Sequence, residues 1–585
     1  MWQPARRSLV VLVCLLATIR GTTGPAAAAA REGPHPLLDE KTFQELIKGS
    51  QPVRNVTIPA FFLTRLFALE DGAQLRGIDE VDFIACTIDG PLDLSHRNVR
   101  VALYFRDVTF AGNVVFAGTR FLDEVAFLGA TRFQARLNIS RAVFESSLTI
   151  SPQTRFERML YADGATFRGR SEIQAEMAGE SALFRGASFQ NAVAFDRARF
   201  GVPVVFSAAA FARAASFRRA LISAGGSVEF DHVTFAGATT FSGLHLEGAL
   251  RFSEATFEQS VSFEELNGES QEPVGHVRFR GAQFKGRVYF DDSRLFEVDL
   301  SARSEDAGGT RDAAPSVFEK AVSFQAIRWT RADFEGVEFG ALADFYAAGF
   351  GASVRFDRAV FGGDVDFRRV VFPTTDAVAS HAGDSHGLSL DRVRFQKSVN
   401  LDFDQLEEPS PWWCLCAGRP RVVTKDASTW RSLEDGFARA GDLRGANGAM
   451  YERRLMESRT AGLAGRVRAT LEWAVWGFGV WPSRVALWTA GLVLAFAALY
   501  RTQIGEADVG RRRSAFWGRW RAAMEFSVKT SFTLDYGRRH SRTRGFKVIT
   551  AVQSVLTKIL LVLFGKALLN VSPLLKDIVE SLVGL

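Results

Sequence analysis

The residue types able to do chemistry are thinly spread along this chain. His232, His245 and His276 stand alone, and a solitary histidine on an outward surface is more often solvated than catalytic. Asp291-Asp292 and the pair Asp402, Asp404 offer carboxylates at a spacing that suits a cation, although outward carboxylates on a repetitive β-structure are ordinarily its soluble skin. Cys414-x-Cys416 has no further Cys or His at a ligand spacing and reads as loop thiols. There is no Gly-x-Ser-x-Gly elbow, phosphate loop or helical histidine pair. These absences argue against an enzyme, a cofactor or a metal centre. The one stretch whose spacing suggests a site is Thr533-Leu534-Asp535-Tyr536-Gly537, which lies between two apolar segments. Three polar residues, Gln553, Lys558 and Lys566, interrupt the second of those segments, and such residues in a membrane helix are expected to face water.

The elements that position these residues begin with a repeat. The chain holds 51 Phe beside only 7 Tyr, so one architectural rule is using phenylalanine again and again. From Phe105 the aromatics recur in steps of five and six, as in Phe184, Phe189, Phe195, Phe200, Phe206, Phe211 and Phe217, and again from Phe318 to Phe372. A small or β-branched residue sits two positions before most of them (Ala187, Val193, Ala198, Val204, Ala209, Ala215). Neither the 3.6-residue helix nor the two-residue strand produces this alternation. A chain that turns a corner every five or six residues does, with the Phe and its partner two before it pointing inward and Gly, Asp, Arg and Ser pointing out. Stacked coils then bury a continuous column of rings.

Units such as Ala187-Ser188-Phe189-Gln190-Asn191 and Ala198-Arg199-Phe200-Gly201-Val202 resemble the pentapeptide-repeat family. The departure is regular: every second unit carries one extra residue, so the unit is an eleven-residue pair. The resemblance implies a mainly β fold, a right-handed quadrilateral β-helix over 81–403. If four steps close a coil, the rod has about a dozen coils and is on the order of 60 Å long. The beat breaks at 264–276, 301–316 and 374–387, insertions expected on one side of the rod and the places where a protein partner would bind. Residues 31–80 are expected to supply a helical cap for its open end.

Residues 1–30 have the parts of a secretory signal peptide: Arg6-Arg7, an apolar core from Leu9 to Ile19, and an Ala-rich exit ending at Ala30. After the repeats, 404–470 reads as two helices around Gly441-Asp442, similar to a juxtamembrane hairpin. Within 471–570, Arg484–Tyr500 and Val548–Leu569 are expected to meet or span a bilayer. Residues 571–585 form a tail. The segment Phe526–Gly537 resembles the pore helix and filter of two-transmembrane potassium channels, whose filter reads Thr-Val-Gly-Tyr-Gly. Thr533, Tyr536 and Gly537 match, Asp535 replaces a glycine, and Arg538 stands where that family has Asp, so K⁺ selectivity does not carry over. The resemblance implies a homotetramer with Gln553, Lys558 and Lys566 as candidate pore-lining residues.

Charge adds the topology. Arg501–Lys547 is strongly basic, which places it in the cytoplasm by the positive-inside rule and the repeats outside the cell membrane. The chain overall carries +6, from 71 basic and 65 acidic residues, which gives no acidic DNA-mimicking surface and no case for a nucleic-acid partner. Two readings follow: a membrane-anchored repeat protein with a degenerate channel-like pore, acting as channel or sensor, or a non-conducting scaffold anchored by the same module.

Overall fold

The computed structural model describes residues 35–67, 77–301, 314–373, 387–408, 426–502, 515–533 and 544–572, with 75, 419–420, 422–424 and 581 as isolated positions. The expected signal peptide of residues 1–30 with Cys14, and Cys414, Cys416 and Leu534–Gly537, lie outside the described residues.

The repeat region is a β-solenoid of parallel strands. Among the described residues its strands form four ladders of 15, 9, 14 and 13 strands, and the coils up to Leu246 visit them in the order first, second, third and fourth face. Strands of two or three residues recur every 21 to 24 residues, so that Phe189 pairs in register with Phe211, Phe211 with Phe235 and Phe235 with Phe257. Rings of successive coils stack face to face, with Phe189–Phe211 at 4.8 Å and 7° and Phe211–Phe235 at 4.8 Å and 13°. Rings from opposite faces meet edge-on across the core, as in Phe217–Phe230 at 5.3 Å and 80°. The residue two before each aromatic is buried with it, including Val193 with Phe195 and Val204 with Phe206. One apolar core therefore runs the length of the rod.

The alternation of five and six has a backbone cause. Corners from the first to the second face and from the third to the fourth place the residue two after the aromatic at positive φ: Arg197 at 62°, Ala208 at 58°, Arg219 at 53°, His232 at 56° and Glu254 at 55°. The peptide N–H of the following residue donates back to the aromatic's carbonyl, as Ala198 N to Phe195 O at 3.1 Å. That tight turn closes the corner in five residues. At the two remaining corners only a glycine, Gly90, takes positive φ among the described residues, and most of these steps take six. The corner N–H also bonds the next coil, Arg197 N to Arg218 O at 2.9 Å, so the stack holds non-glycine residues in a conformation that costs each about 1 kcal/mol.

The rod changes section along its length. The second ladder ends at His245–Leu246. Beyond it, the second and third faces are served by single long strands, Val274–Arg278, Arg294–Asp299, Arg328–Asp333 and Gly349–Arg355. Asn267 closes the abandoned ladder: its amide oxygen accepts from Leu246 N at 2.7 Å and its amide nitrogen donates to Leu246 O at 2.9 Å and Val274 O at 3.0 Å.

Helices cover both open ends. Helix α1 (Glu40–Lys48) starts at Asp39, whose carboxylate accepts from Thr42 N, and α2 (Ala60–Leu66) follows two short strands. Phe43, Ile47, Phe62 and Leu63 join the solenoid core from above. At the other end α3 (Ala427–Ala440) lays Trp430, Leu433 and Phe437 against Phe403 and the last coil. Gly441, at φ 78°, ends α3 in a left-handed cap, and Asp442 at once begins α4 (Leu443–Thr460) by accepting from Arg444 N and Gly445 N. Helix α5 (Leu463–Trp476) leads through a short 3₁₀ turn at Gly477–Gly479 to α6 (Pro482–Arg501), α7 (Ala515–Phe532) and α8 (Arg544–Val571). Among the described residues two helices are long and apolar enough to cross a membrane, α6 and the Gly545–Val571 stretch of α8.

Candidate functional site

The polar candidates in the solenoid serve the coil. His232 lies 3.1 Å from Glu254, His245 3.4 Å from Glu247 and His276 2.9 Å from Glu297. Asp291 accepts from Ser323 Oγ at 2.5 Å and Gln325 N at 2.9 Å on the next coil, while Asp292 is the positive-φ corner. Asp404 pairs with Arg444 at 2.9 Å, and Asp402 precedes a 3₁₀ turn. Among the described residues no three His, Cys, Asp or Glu side chains converge where a metal ion would sit.

The third face carries a denser cluster where it is built from long strands. Arg278, Asp299, Asp333, Arg355 and Ser389 stand in register on successive coils. They border a cleft of about 240 Å³. Arg280 Nε donates to Asp299 Oδ2 at 2.9 Å, Arg355 Nη1 to Asp333 Oδ2 at 3.3 Å and to Glu335 Oε2 at 3.4 Å, and Arg358 to Glu335. Burial pushes the Asp333 carboxyl up to about 6 against the pull of Arg355. The insertions leave the coil around this region, after Phe263 between the first and second faces, after Ser301 between the third and fourth, and after Pro373 between the second and third. Sequence spacing locates the insertions; the ion-pair column between them is visible only once the register is known.

The helical module is built around a polar junction. Tyr500 Oη, at the end of α6, donates to Gln553 Oε1 at 2.6 Å. Gln553 Nε2, on α8, donates to Ser527 Oγ at 2.7 Å, Ser531 Oγ at 2.8 Å and Ser527 O at 3.1 Å on α7. Ser527 Oγ in turn donates to Val493 O of α6 at 2.8 Å, and Thr557 lies 3.4 Å from Ser531. Ser527, Ser531, Gln553 and Thr557 are all buried, and the neighbouring Thr530 hydroxyl has no hydrogen-bond partner among the described residues. Seal residues close one end: Tyr500 packs edge-on against Phe526 at 5.0 Å and Phe546 at 5.2 Å, and Arg501 lies over Trp520 at 5.3 Å.

These contacts give the course of α7. Near Phe526 it lies beside the C-terminal end of α6 and the start of α8. Five residues on, Ser531 faces Gln553 and Thr557, and Phe532 lines an apolar groove of about 530 Å³ with Ala486, Ala490, Leu561 and Phe564. Gln553 is seven residues beyond Phe546, about 10 Å along α8. Helix α7 therefore runs into the depth of the α6/α8 pair from the Tyr500 end and stops there, and the chain returns to that same end at Arg544.

Of the filter-like residues, Thr533 is exposed and its hydroxyl donates to Lys529 O; Leu534, Asp535, Tyr536 and Gly537 lie outside the described residues. Gln553 is buried inside one chain, whereas Lys558 and Lys566 project from the opposite side of α8. Lys566 sits 5.6 Å from the Trp476 ring, beside the start of α6. The sequence reading missed Tyr500, Ser527 and Ser531 as partners of Gln553. The available signal was a Ser-x-x-x-Ser spacing on an otherwise apolar helix.

The module is tied to the rod. Asn447 of α4 donates to Asn570 O of α8 at 2.7 Å, Asn570 to Gly479 O at 3.2 Å, and Trp473 Nε1 to Tyr451 Oη at 2.8 Å. No family model, no curated protein and no solved structure matches this chain. What stands is a parallel β-solenoid with stacked phenylalanines, compatible with pentapeptide repeats, joined to a helical region with two apolar helices able to span a membrane.

Proposed function

We propose that this chain is a membrane-anchored repeat protein whose helical module is a degenerate channel-like pore domain, with the solenoid standing outside the cell membrane as a sensing or binding rod. The observation that carries the reading is the course of α7, a helix that enters between two apolar helices and ends among them, while α8 begins at Arg544 back at the end where α7 entered. Backbone that stops inside an apolar layer has to be covered by protein or line water. Assembly with further copies, four by the resemblance, meets that need. Lys558 on the outward side of α8 would then face a neighbour or a central pore, where a ring of ammonium groups disfavours cations. On the rod, the charged column of the third face and the insertions around it are where a protein partner would dock.

The same contacts support the orientation. The start of α6 and the end of α8 lie together beside α4, and Arg501 and Lys547 stand at the opposite ends of those two helices, so a bilayer crossed by both would leave the basic ends on the side the positive-inside rule makes cytoplasmic. Topology reporters fused after Phe403 and after Arg512 are expected to report opposite compartments. The decisive measurement is recording from the purified protein in planar bilayers: conductance that changes with Lys558→Gln or Asp535→Gly supports the pore. Silence of the natural chain and of Asp535→Gly alike sinks it. The second reading, a non-conducting scaffold, draws on the Gln553 junction, which spends the polar groups of three helices on one another and leaves a closed anchor.

A further inference from the structure

Helix α5 has an apolar face that none of the described residues covers. Leu463, Val467 and Leu471 stand four residues apart on one side of it and are 84%, 56% and 60% exposed. The opposite side, with Gly465, Ala469 and Glu472, meets α4, where Arg454 Nη1 lies 3.4 Å from Glu472. Arg466 and Arg468 flank the apolar stripe, each about 100° around the helix from Val467. Arg468 keeps an exposed side chain while its Nε donates to Glu472 Oε1 at 3.0 Å. A stripe of aliphatic side chains bordered on both edges by guanidinium groups is the pattern of a helix lying in a bilayer interface.

The indole rings at the corner between α5 and α6 place that stripe at the right depth. Arg484 lies between Trp473 and Trp481, 4.9 Å and 5.3 Å from their ring centres, and its Nη1 donates to Trp473 O at 2.8 Å. Trp488 Nε1 donates to Ala474 O at 2.9 Å, and Lys566 reaches Trp476 from the far end of α8. Tryptophan with Arg and Lys at the end of an apolar helix marks the headgroup level. Helix α5 leaves that corner with its apolar stripe bare.

We propose that α5 is an interfacial helix: Leu463, Val467 and Leu471 insert at the acyl boundary, and Arg466 and Arg468 lie at the lipid phosphates. The inference rests on the reading of α6 and α8 as membrane spans and extends it, because a helix held in the interface fixes the angle at which α4, and the rod packed on α3, leave the membrane.

The test uses the full chain in phospholipid vesicles, with its own cysteines replaced and an environment-sensitive fluorophore on one introduced cysteine at a time. The four variants are Val467→Cys, Leu471→Cys, Leu494→Cys as a reference on α6, and Arg431→Cys as a reference on α3. Nitroxides on the lipid acyl chain are expected to quench positions 467, 471 and 494 roughly threefold or more beyond position 431. Quenching at 494 without quenching at 467 and 471, which a water-soluble quencher then reaches, overturns the interfacial helix and leaves the spans intact. Loss of quenching at 494 as well removes the membrane reading and this inference with it. Disulfide cross-linking of Val467→Cys between two copies, without lipid quenching, assigns the stripe to a contact between chains and also overturns it.

Discussion

The rod and the helical module obey opposite rules of burial, and the contrast fits water around the first and lipid around the second. In the solenoid, Phe195, Phe206, Phe217 and Phe230 are sealed inside while Arg, Glu and Asp cover the outside. In the module, Gln553, Ser527, Ser531 and Thr557 are sealed inside, while Val548, Val552, Val555, Ile559 and Val562 face outward. Hydrophobic burial drives the first arrangement, and water outside rewards it. The second gains little from hiding apolar groups, since a lipid exterior is as apolar as a leucine, and what distinguishes its packed state is a hydrogen-bonded junction that hydrocarbon cannot supply. The rod also repeats one contact many times, whereas the junction depends on a few residues used once.

The sharpest way to break this comparison is to truncate one apolar side chain in each region. Phe230 is fully buried, stacked between Phe206 at 4.9 Å and Phe252 at 5.1 Å, and edge-on to Phe217. Phe230→Ala should cost about 3–5 kcal/mol, seen as a lowered denaturation midpoint of the β signal in circular dichroism. Val562→Ala, on the outward face of α8, should change the stability of the module by no more than about 0.5 kcal/mol. A large loss from Val562→Ala would mean that this face is packed against protein, which would favour assembly over lipid exposure.

The junction should respond next most strongly. Gln553→Leu keeps the volume but strands the hydroxyls of Tyr500, Ser527 and Ser531, and should cost about 1–3 kcal/mol of helix packing, measured by unfolding in mixed micelles. Replacing Gln553, Ser527 and Ser531 together by apolar residues should recover part of that loss, because no buried donor is then left over. If the single and triple variants lose the same amount, the hydroxyls are reached by water.

Much of this was legible in the sequence, and the reasons differ by region. The beat of five and six could be read because the aromatics mark corners, and most steps between buried corners keep to those two lengths. Its cause could not, since Arg197, Ala208, Arg219, His232 and Glu254 are not residues that favour positive φ; the coils above and below impose it. The merger of the second and third faces left a faint trace. The step at that corner, six residues from Phe133 to Ile139 and from Phe200 to Phe206, shortens to five from Leu295 to Leu300 and from Trp329 to Phe334. In the module, Gln553 stood out as a polar residue in an apolar run, but its partners lie 22 to 53 residues away and belong to no local pattern. The apolar stripe of α5 was hidden by its arginines, which make the segment read as an ordinary solvated helix.

Asn267 tests where the rod changes section. It alone closes the second ladder at Leu246, with three hydrogen bonds in a buried site. Asn267→Ala should cost about 1–2 kcal/mol, and should raise hydrogen exchange at the Leu246 amide while amides of the first and fourth faces keep their protection. Exchange that rises equally on all four faces would show that the two sections of the rod unfold as one unit.

The smallest expected effect is a pH dependence confined to the third face. Asp333 has a folded-state pKa raised to about 6 from the 3.8 of a free carboxyl, with burial as the main cause and Arg355 opposing it. A raised carboxyl binds its proton more tightly in the folded state, so its contribution to stability is complete below pH 3.8 and is lost as pH rises through 6. Its side chain keeps 29% of its surface exposed, and screening there holds the change to about 1–2 kcal/mol. Unfolding midpoints of the natural chain and of Asp333→Asn, measured between pH 4 and 7, should diverge by that amount as the pH rises, with the asparagine variant showing the flatter profile. Parallel profiles would place the Asp333 carboxylate in full ion pairing with Arg355 and make the column a set of ordinary surface salt bridges, no different from those elsewhere on the rod.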